Sequence, residues 1–287
     1  MREGRPTSGE AEAVAAAPLP GTVRVLMYHS ISPAPAERGF RRYRVSPALL
    51  DEHLSALAGA GLRAVSLTDL LEQARLGRDV SRLVALTFDD AFADFTDHAL
   101  PLLGHHRAQA TLYVPTAHVG RDAGWLGARH GRLPLMDWPE LRAASASGVE
   151  IGSHGHWHRE LDVLPAREVL AEVQLSRALL EDELGTAPQS LAYPFGYATP
   201  VVRGVVHQAG FASACAVGYT TTPVPGLDPF AVQRLLVAPG TTPEQLADLL
   251  TGRQGVEATL RRWTRPAWRT ARRVRHRLTG SSHVRAA

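Results

Sequence analysis

A chain of 287 residues, 45% of them hydrophobic and only one a cysteine (Cys215), can bury a sizeable core unaided and holds no internal disulfide framework. All 31 basic residues are arginine; ten stand in residues 253–287 against one acid, Glu257, a formal +9, while the other 21 face 27 acids, a formal −6. The net +3 therefore belongs to the C-terminal segment, the acidic body gives no reason to expect nucleic acid as a partner, and with no run of about 18 apolar residues no membrane-spanning helix is predicted.

In chain order, residues 1–20 are rich in Ala, Gly, Pro and Glu without a period and read as a disordered segment. They lack the apolar core of a secretory signal, so the expected location is the cytoplasm. From residue 22, short β-rich runs alternate with helical patterns. VRVLMY reads as a strand that ends in His29. SPALLDEHLSALAGAG reads as a helix with Ser46 as N-cap, Pro47 at its first position and the GAG run closing it. RAVSLTD is a short strand, LVALTFDD an apolar strand ending in acids, residues 92–105 a helix, and ATLYVPT a strand. WPELRAASASG is a helix ended by Gly148 and VEIGSH a strand. Residues 165–184 form a long helix, SLAYPFG a strand and VVRGVVHQAG a helix. ASACAVG and QRLLVAP are strands, and TPEQLADLL is the last helix. Strands apolar on both faces, alternating with helices, indicate a parallel sheet covered by helices. About seven such units suit a distorted, TIM-like (β/α)7 barrel of one domain, residues 21–252, between a flexible N-terminal segment and a basic C-terminal one.

In such an architecture chemistry collects at the C-terminal ends of strands, and three ends stand out. LTFDDAF places Asp89 and Asp90 where the chain turns, so both could face one cavity; either could equally cap the helix that follows. VEIGSHGHWHREL carries His154 and His158 four apart, the spacing that puts two imidazoles on one face of a helical turn within reach of one divalent metal. His156 would then point away. LAYPFGYATP is a Pro-aromatic turn that could aim the N–H groups of Phe195 and Gly196 into a cavity, or be an ordinary turn.

TFDD, then H-x-x-x-H-x-x-L (His154, His158, Leu161), then the Pro-aromatic turn, in that order and at strand ends, resemble the polysaccharide deacetylases of carbohydrate esterase family 4, the NodB homology domain, over about residues 22–250. The opening VLMYHSI is similar to the first strand of the subgroup of bacterial poly-N-acetylglucosamine deacetylases, in which the catalytic histidine comes from the N-terminal strand. The resemblance implies a metal-dependent N-deacetylase. Asp90, His154 and His158 would hold one divalent ion, Zn²⁺ first, with Co²⁺, Ni²⁺ or Mn²⁺ as alternatives. Asp89 would be the general base and His29 the general acid. The backbone N–H of Phe195 would face the oxyanion, and Tyr193 and Pro194 the substrate. Leu26 and Trp138 would shape a pocket for the acetyl methyl. The substrate would be an N-acetylated glycan or glycolipid.

The sequence departs from the family pattern in three places. Ala192 stands where an arginine usually orients the base; Arg234, in AVQRLLVAP, resembles a late-strand arginine of the subgroup that would take over. Ala91 replaces a glycine after the paired acids, and no Asp/Trp fourth motif matches. The Arg/Trp-rich residues 253–287, with Trp263 and Trp268, suit peripheral contact with anionic headgroups at the inner face of a membrane. Two rival functions share the scaffold: a hydrolase of another C–N bond, of the cyclic amide type, and a catalytically degenerate glycan-binding module.

Overall fold

Eight short strands run parallel: β1 (Val25–Tyr28), β2 (Arg63–Val65), β3 (Leu83–Phe88), β4 (Thr111–Val114), β5 (Glu150–Ser153), β6 (Ser190–Ala192), β7 (Ser213–Val217) and β8 (Val232–Leu236). The structure is a computed structural model that describes residues 21–34, 40–127 and 132–252. The expected disordered segment 1–20 and the basic segment 253–287 lie outside these residues. Hydrogen bonding runs β1–β3–β4–β5–β6–β7–β8 and back to β1, which closes the ring. The short β2 pairs with the first half of β3, on the edge that β4 takes further along. The (β/α)7 barrel expected from the sequence is therefore the observed architecture.

Helices α1 (Pro47–Gly59), α2 (Leu67–Arg75), α3 (Leu100–His105), α4 (Trp138–Ala146), α5 (Ala166–Leu184), α6 (Pro200–Gln208) and α7 (Pro243–Leu250) accompany the strands. The Ser46 side chain accepts from Leu49 N–H and Pro47 opens α1, as the sequence indicates. Residues 95–99 form a π-turn that leads into α3. Helix α2 was hidden by the reading of RAVSLTD as one strand: the strand is three residues long, and Ser66 caps a helix by accepting from Asp69 N–H. None of the described helices is long and apolar enough to cross a membrane.

Strand alternation sorts the side chains into two cores. The interior takes Val23, Val25, Ala85, Tyr113, Ala192, Cys215 and Val232, joined by Leu67, Leu70, Leu71 and Ala74 of α2. The outer layer takes Leu26, Tyr28, Val84, Leu86, Phe88, Leu112 and Leu235, packed against Leu50, Leu54 and Leu57 of α1 and Leu246 and Leu250 of α7. At the strand starts, Glu150 accepts from the Thr68 backbone and hydroxyl and from the hydroxyls of Thr111 and Ser190, which docks α2 across the end of the barrel opposite the strand tips. Gly152 on β5 has a steric reason. A Cβ there would lie 2.5 Å from the Tyr113 ring, so only glycine lets that ring occupy the interior.

Candidate functional site

At the end of β3 the chain turns sharply, with Asp90 and Ala91 both in the left-handed region (φ +76° and +53°). Asp89 keeps the inward direction of the strand, whereas Asp90 reaches the same cavity from the turn. Both are buried, 3% and 5% exposed. Asp90 Oδ1 lies 3.2 Å from His158 Nε2 and 3.5 Å from His154 Nε2. Asp90, His154 and His158 thus form a buried cluster whose donor atoms all fall within 4.8 Å of one another.

The predicted pairing of His154 with His158 is observed, but the helical turn expected to produce it is not. Residues 154–160 have no helical structure. Gly155 (φ +74°) and His158 (φ +55°) instead reverse the chain twice and fold His158 back over the cavity. His156 points elsewhere, and its Nδ1 is 2.8 Å from the Thr116 hydroxyl.

These residues fit a divalent cation. His154 Nδ1 donates to the Ala192 carbonyl at 2.8 Å, which fixes the tautomer and turns an unprotonated Nε2 toward Asp90. Asp90 Oδ1 is buried and accepts no hydrogen bond. Burial raises the pKa of Asp90, against the pull of His29 and His154. One carboxylate and two imidazoles are a donor set suited to Zn²⁺ with coordination positions left for water and substrate.

Asp89 is held differently. Arg234, 0% exposed on β8, forks onto it with Nη1–Oδ1 at 2.5 Å and Nη2–Oδ2 at 2.7 Å, and Nη1 also reaches the Thr87 hydroxyl at 3.2 Å. Burial pushes the Asp89 carboxyl up, but Arg234 and then His154 more than offset it and hold the group well below the usual range. The guanidinium lies 5.5 Å from the Tyr113 ring centroid, between inward-facing residues of opposite walls. The carboxylate that lost its expected arginine at Ala192 therefore receives one from Arg234.

His29 sits at the tip of β1, half-buried, with its ring 4.7 Å from that of Tyr43. Burial lowers its pKa, opposed by Asp89 and Asp90. The two residues that follow it are clamped: the Asp94 carboxylate accepts from the Ser30 hydroxyl and, at 3.1 Å, from Ile31 N–H, and Arg44 Nε donates to the Ser30 hydroxyl at 3.1 Å.

The Pro-aromatic turn is strained as well as tight. Phe195 is left-handed (φ +59°), and Gly196 (φ +75°) could not carry a Cβ, which would lie 2.5 Å from Val217. Gly196 N–H donates to the Tyr193 carbonyl at 2.8 Å, which removes it as an oxyanion donor. The Phe195 ring is 41% exposed and packs against His158 at 4.8 Å. Pro194 packs near Gly155 of the histidine loop.

Three expectations about the substrate pocket need correction. Leu26 is 0% exposed in the outer layer, because alternation turns Met27 and His29 inward and Leu26 toward the helices. Tyr193 likewise faces outward from the end of β6, packed among Val202, Val205 and Phe211 with its hydroxyl donating to the Phe230 carbonyl. Trp138 opens α4 and packs on the outer layer. The aromatic wall comes instead from side chains that sequence spacing did not single out. Trp125 stacks on His158 (4.3 Å, 25°), Tyr43 covers His29, and Trp157 is 52% exposed at the rim. Tyr43 and Trp125 sit in short 3₁₀ turns, Arg41–Tyr43 and Gly124–Leu126, and pack with Phe40, Phe92 and Leu135. An aromatic residue between the predicted strands and helices was the only signal available for them.

Known proteins are similar to this chain. Residues 77–214 match the family model described as polysaccharide deacetylase. A poly-beta-1,6-N-acetyl-D-glucosamine N-deacetylase of Staphylococcus aureus (strain MRSA252) is 20% identical over 237 residues, 79% of this chain and 74% of that protein. Among solved structures, IcaB from Ammonifex degensii superposes with a TM-score of 0.68 at 24% identity, covering 80% of this chain and 97% of that one. The Streptococcus pyogenes deacetylase PplD in complex with acetate gives 0.68 at 21% identity, with 81% and 99% coverage.

Proposed function

Because residues 77–214 match the polysaccharide deacetylase family model, we propose that the chain is a metal-dependent N-deacetylase that hydrolyses the acetamide of an N-acetylated sugar in a glycan or glycolipid. The observation that carries the reading is the meeting, at one end of the barrel, of the Asp90–His154–His158 cluster with an arginine-locked Asp89 and with His29. A divalent cation, when held by Asp90, His154 and His158, supplies polarisation of the acetamide carbonyl and acidification of a water. Asp89 stays ionised beside Arg234 and is ready to accept the proton of the attacking water. His29 donates to the nitrogen as the C–N bond breaks, so that acetate and a free amine leave. Burial makes its imidazolium a stronger acid, while Asp89 and Asp90 favour its taking up a proton. The Phe195 N–H is assigned to the oxyanion that develops on the carbonyl.

The aromatic surroundings support a sugar. Trp157 and Phe195 are exposed, Phe195 against His158 itself, and offer flat apolar faces to a pyranose ring. The S. aureus relative is named for poly-beta-1,6-N-acetyl-D-glucosamine, and the S. pyogenes deacetylase was solved with acetate. The basic segment 253–287 is assigned to anionic membrane surfaces, where a lipid-linked acceptor would be found.

Acetate release from a panel of N-acetylhexosamine glycans and lipid-linked sugars, with Zn²⁺ added, tests the function. Wild type should release acetate, and Asp89→Asn and His29→Ala should each lose about 10²–10⁴-fold in kcat. Equal activity in either variant removes that residue from the mechanism. Hydrolysis of a cyclic amide with no release from any glycan would replace the reading.

A further inference from the structure

His154 and His158 can share one ion only if the loop between them holds an unusual shape. Gly155 is left-handed without penalty, but His158 carries a side chain at φ +55°, a conformation that costs about 1–2 kcal/mol for an L-residue and persists only when its surroundings impose it. The side chains that impose it come from one face of α5. Glu168, Glu172 and Ser176 are spaced four apart, so they line up along the helix. Each reaches a different point of the loop. Glu168 pairs with Arg159 Nη2 at 3.0 Å, the Ser176 and Ser153 hydroxyls meet at 2.8 Å, and between them Glu172 accepts from the Trp157 backbone N–H at 2.6 Å.

Glu172 is the centre of this arrangement. It is 4% exposed; burial raises its pKa, and the backbone N–H groups of Trp157, Arg159 and His156 that point at it work against that rise. The loop is thus wrapped around a carboxylate delivered by the helix. Its Oε1 lies 3.4 Å from where a Cβ on Gly155 would be, so the space inside the turn is filled.

We propose that Glu172 is the positioning residue of the metal centre: by gathering the backbone N–H groups of the 156–159 loop it sets the separation of the His154 and His158 imidazoles and prepares them for a divalent cation. It touches neither substrate nor ion and acts through the two histidines. The inference rests on the metal-centre reading above. A carboxylate is required because every group aimed at it is a donor. In Glu172→Gln the amide end would meet N–H groups, and in Glu172→Asp the shorter stem would withdraw the acceptor from the loop.

The test is Zn²⁺ affinity, read by competition with a chromophoric chelator, and the visible spectrum of the Co²⁺ form. Wild type is compared with Glu172→Gln, Glu172→Asp and the exposed control Glu181→Gln, alongside thermal unfolding of the metal-free proteins. Loss of a partner that orients metal ligands costs about 10–100-fold in affinity. Glu172→Gln is expected to show that loss with an altered Co²⁺ spectrum, Glu172→Asp a loss of the same sign, and Glu181→Gln none. A residue that only stabilises the helix contact would lower the melting temperature and leave affinity and spectrum unchanged, and that result overturns the proposal. If Glu172→Gln does not fold, Glu172→Asp decides by the same criterion. If wild type and His158→Ala both fail to bind Zn²⁺, the metal reading falls and the inference with it, an outcome distinct from wild-type binding that Glu172→Gln retains.

Discussion

Arg234→Met isolates the charge that holds Asp89. Both partners are sealed from water, at 0% and 3% exposure, and the fork is short at both contacts, 2.5 and 2.7 Å. Removing one member of a buried pair leaves the other uncompensated and costs about 3–5 kcal/mol. In a domain of this size each kcal/mol moves Tm by about 2–4 °C, so the variant should melt about 6–20 °C below wild type. The pH dependence gives the argument a sign. In wild type the Asp89 pKa is held well below its unfolded value of about 3.9, so the pair's contribution is complete above that pH and lost only as pH falls through the depressed value. Without Arg234, burial dominates and raises the Asp89 pKa, so the destabilisation is largest near neutrality and shrinks as acid neutralises the carboxylate. The double variant Asp89→Leu/Arg234→Met, which buries no charge, should recover most of the loss. Thermal and urea unfolding of the metal-free proteins, followed by circular dichroism across a pH series, provides the assay. If Arg234→Met unfolds within about 1 kcal/mol of wild type, or the double variant is no more stable than the single one, the account of this pair is wrong.

Gly152→Ala should lower the urea midpoint by an amount corresponding to about 1–3 kcal/mol, because the new methyl meets the Tyr113 ring at 2.5 Å; an unchanged midpoint would mean that the ring has room to move. The metal-free protein should lose stability between about pH 7 and pH 5. Burial lowers the pKa values of His29, His53, His118, His154 and His156, so the unfolded state takes up protons that the folded state refuses, each group contributing at most about 1.4 kcal/mol per pH unit; a midpoint that rises on acidification would contradict this. Deleting residues 253–287 should abolish sedimentation with anionic vesicles while acetate release from soluble glycans continues; retained vesicle binding would refute the membrane assignment.

The strands were legible because a parallel barrel buries both faces, so LVALTF and TLYV read as unbroken apolar runs. Helix α2 was not, since three residues of strand leave no room for a period to change visibly. Strand parity, applied consistently, would also have corrected two site assignments. Once His29 faces the cavity, Met27 must and Leu26 cannot; once Ala192 faces His154, Tyr193 cannot. That information was in the sequence. The path of the histidine loop was not, because the left-handed turn at His158 depends on Glu172, which comes from the next helix and bonds across 15 residues. Spacing of i and i+4 gave the right pair through a helical geometry that the chain does not adopt. Likewise, Tyr43 and Trp125 reach His29 and His158 through the packing of short 3₁₀ turns that lie between the main elements.

Arg234 shows how an expected arginine can be missing from one strand while its contact with the carboxylate is kept from another. Inward-facing positions of a closed barrel share one small volume, so a guanidinium can approach the same carboxylate from more than one strand. β6 and β8 are separated only by β7, and the inward residues at Ala192 and Cys215 are small. An arginine on β6 would compete with Arg234 for Asp89, and two buried guanidinium groups on one carboxylate would leave a net charge in the interior, at a cost of several kcal/mol. The alanine at 192 and the arginine at 234 are therefore one feature. Its remaining contribution is local: the Ala192 carbonyl takes the His154 Nδ1 proton and fixes the tautomer that aims Nε2 at Asp90. A motif scored position by position records a missing arginine at 192, whereas the barrel interior contains one, bound to the carboxylate that needs it.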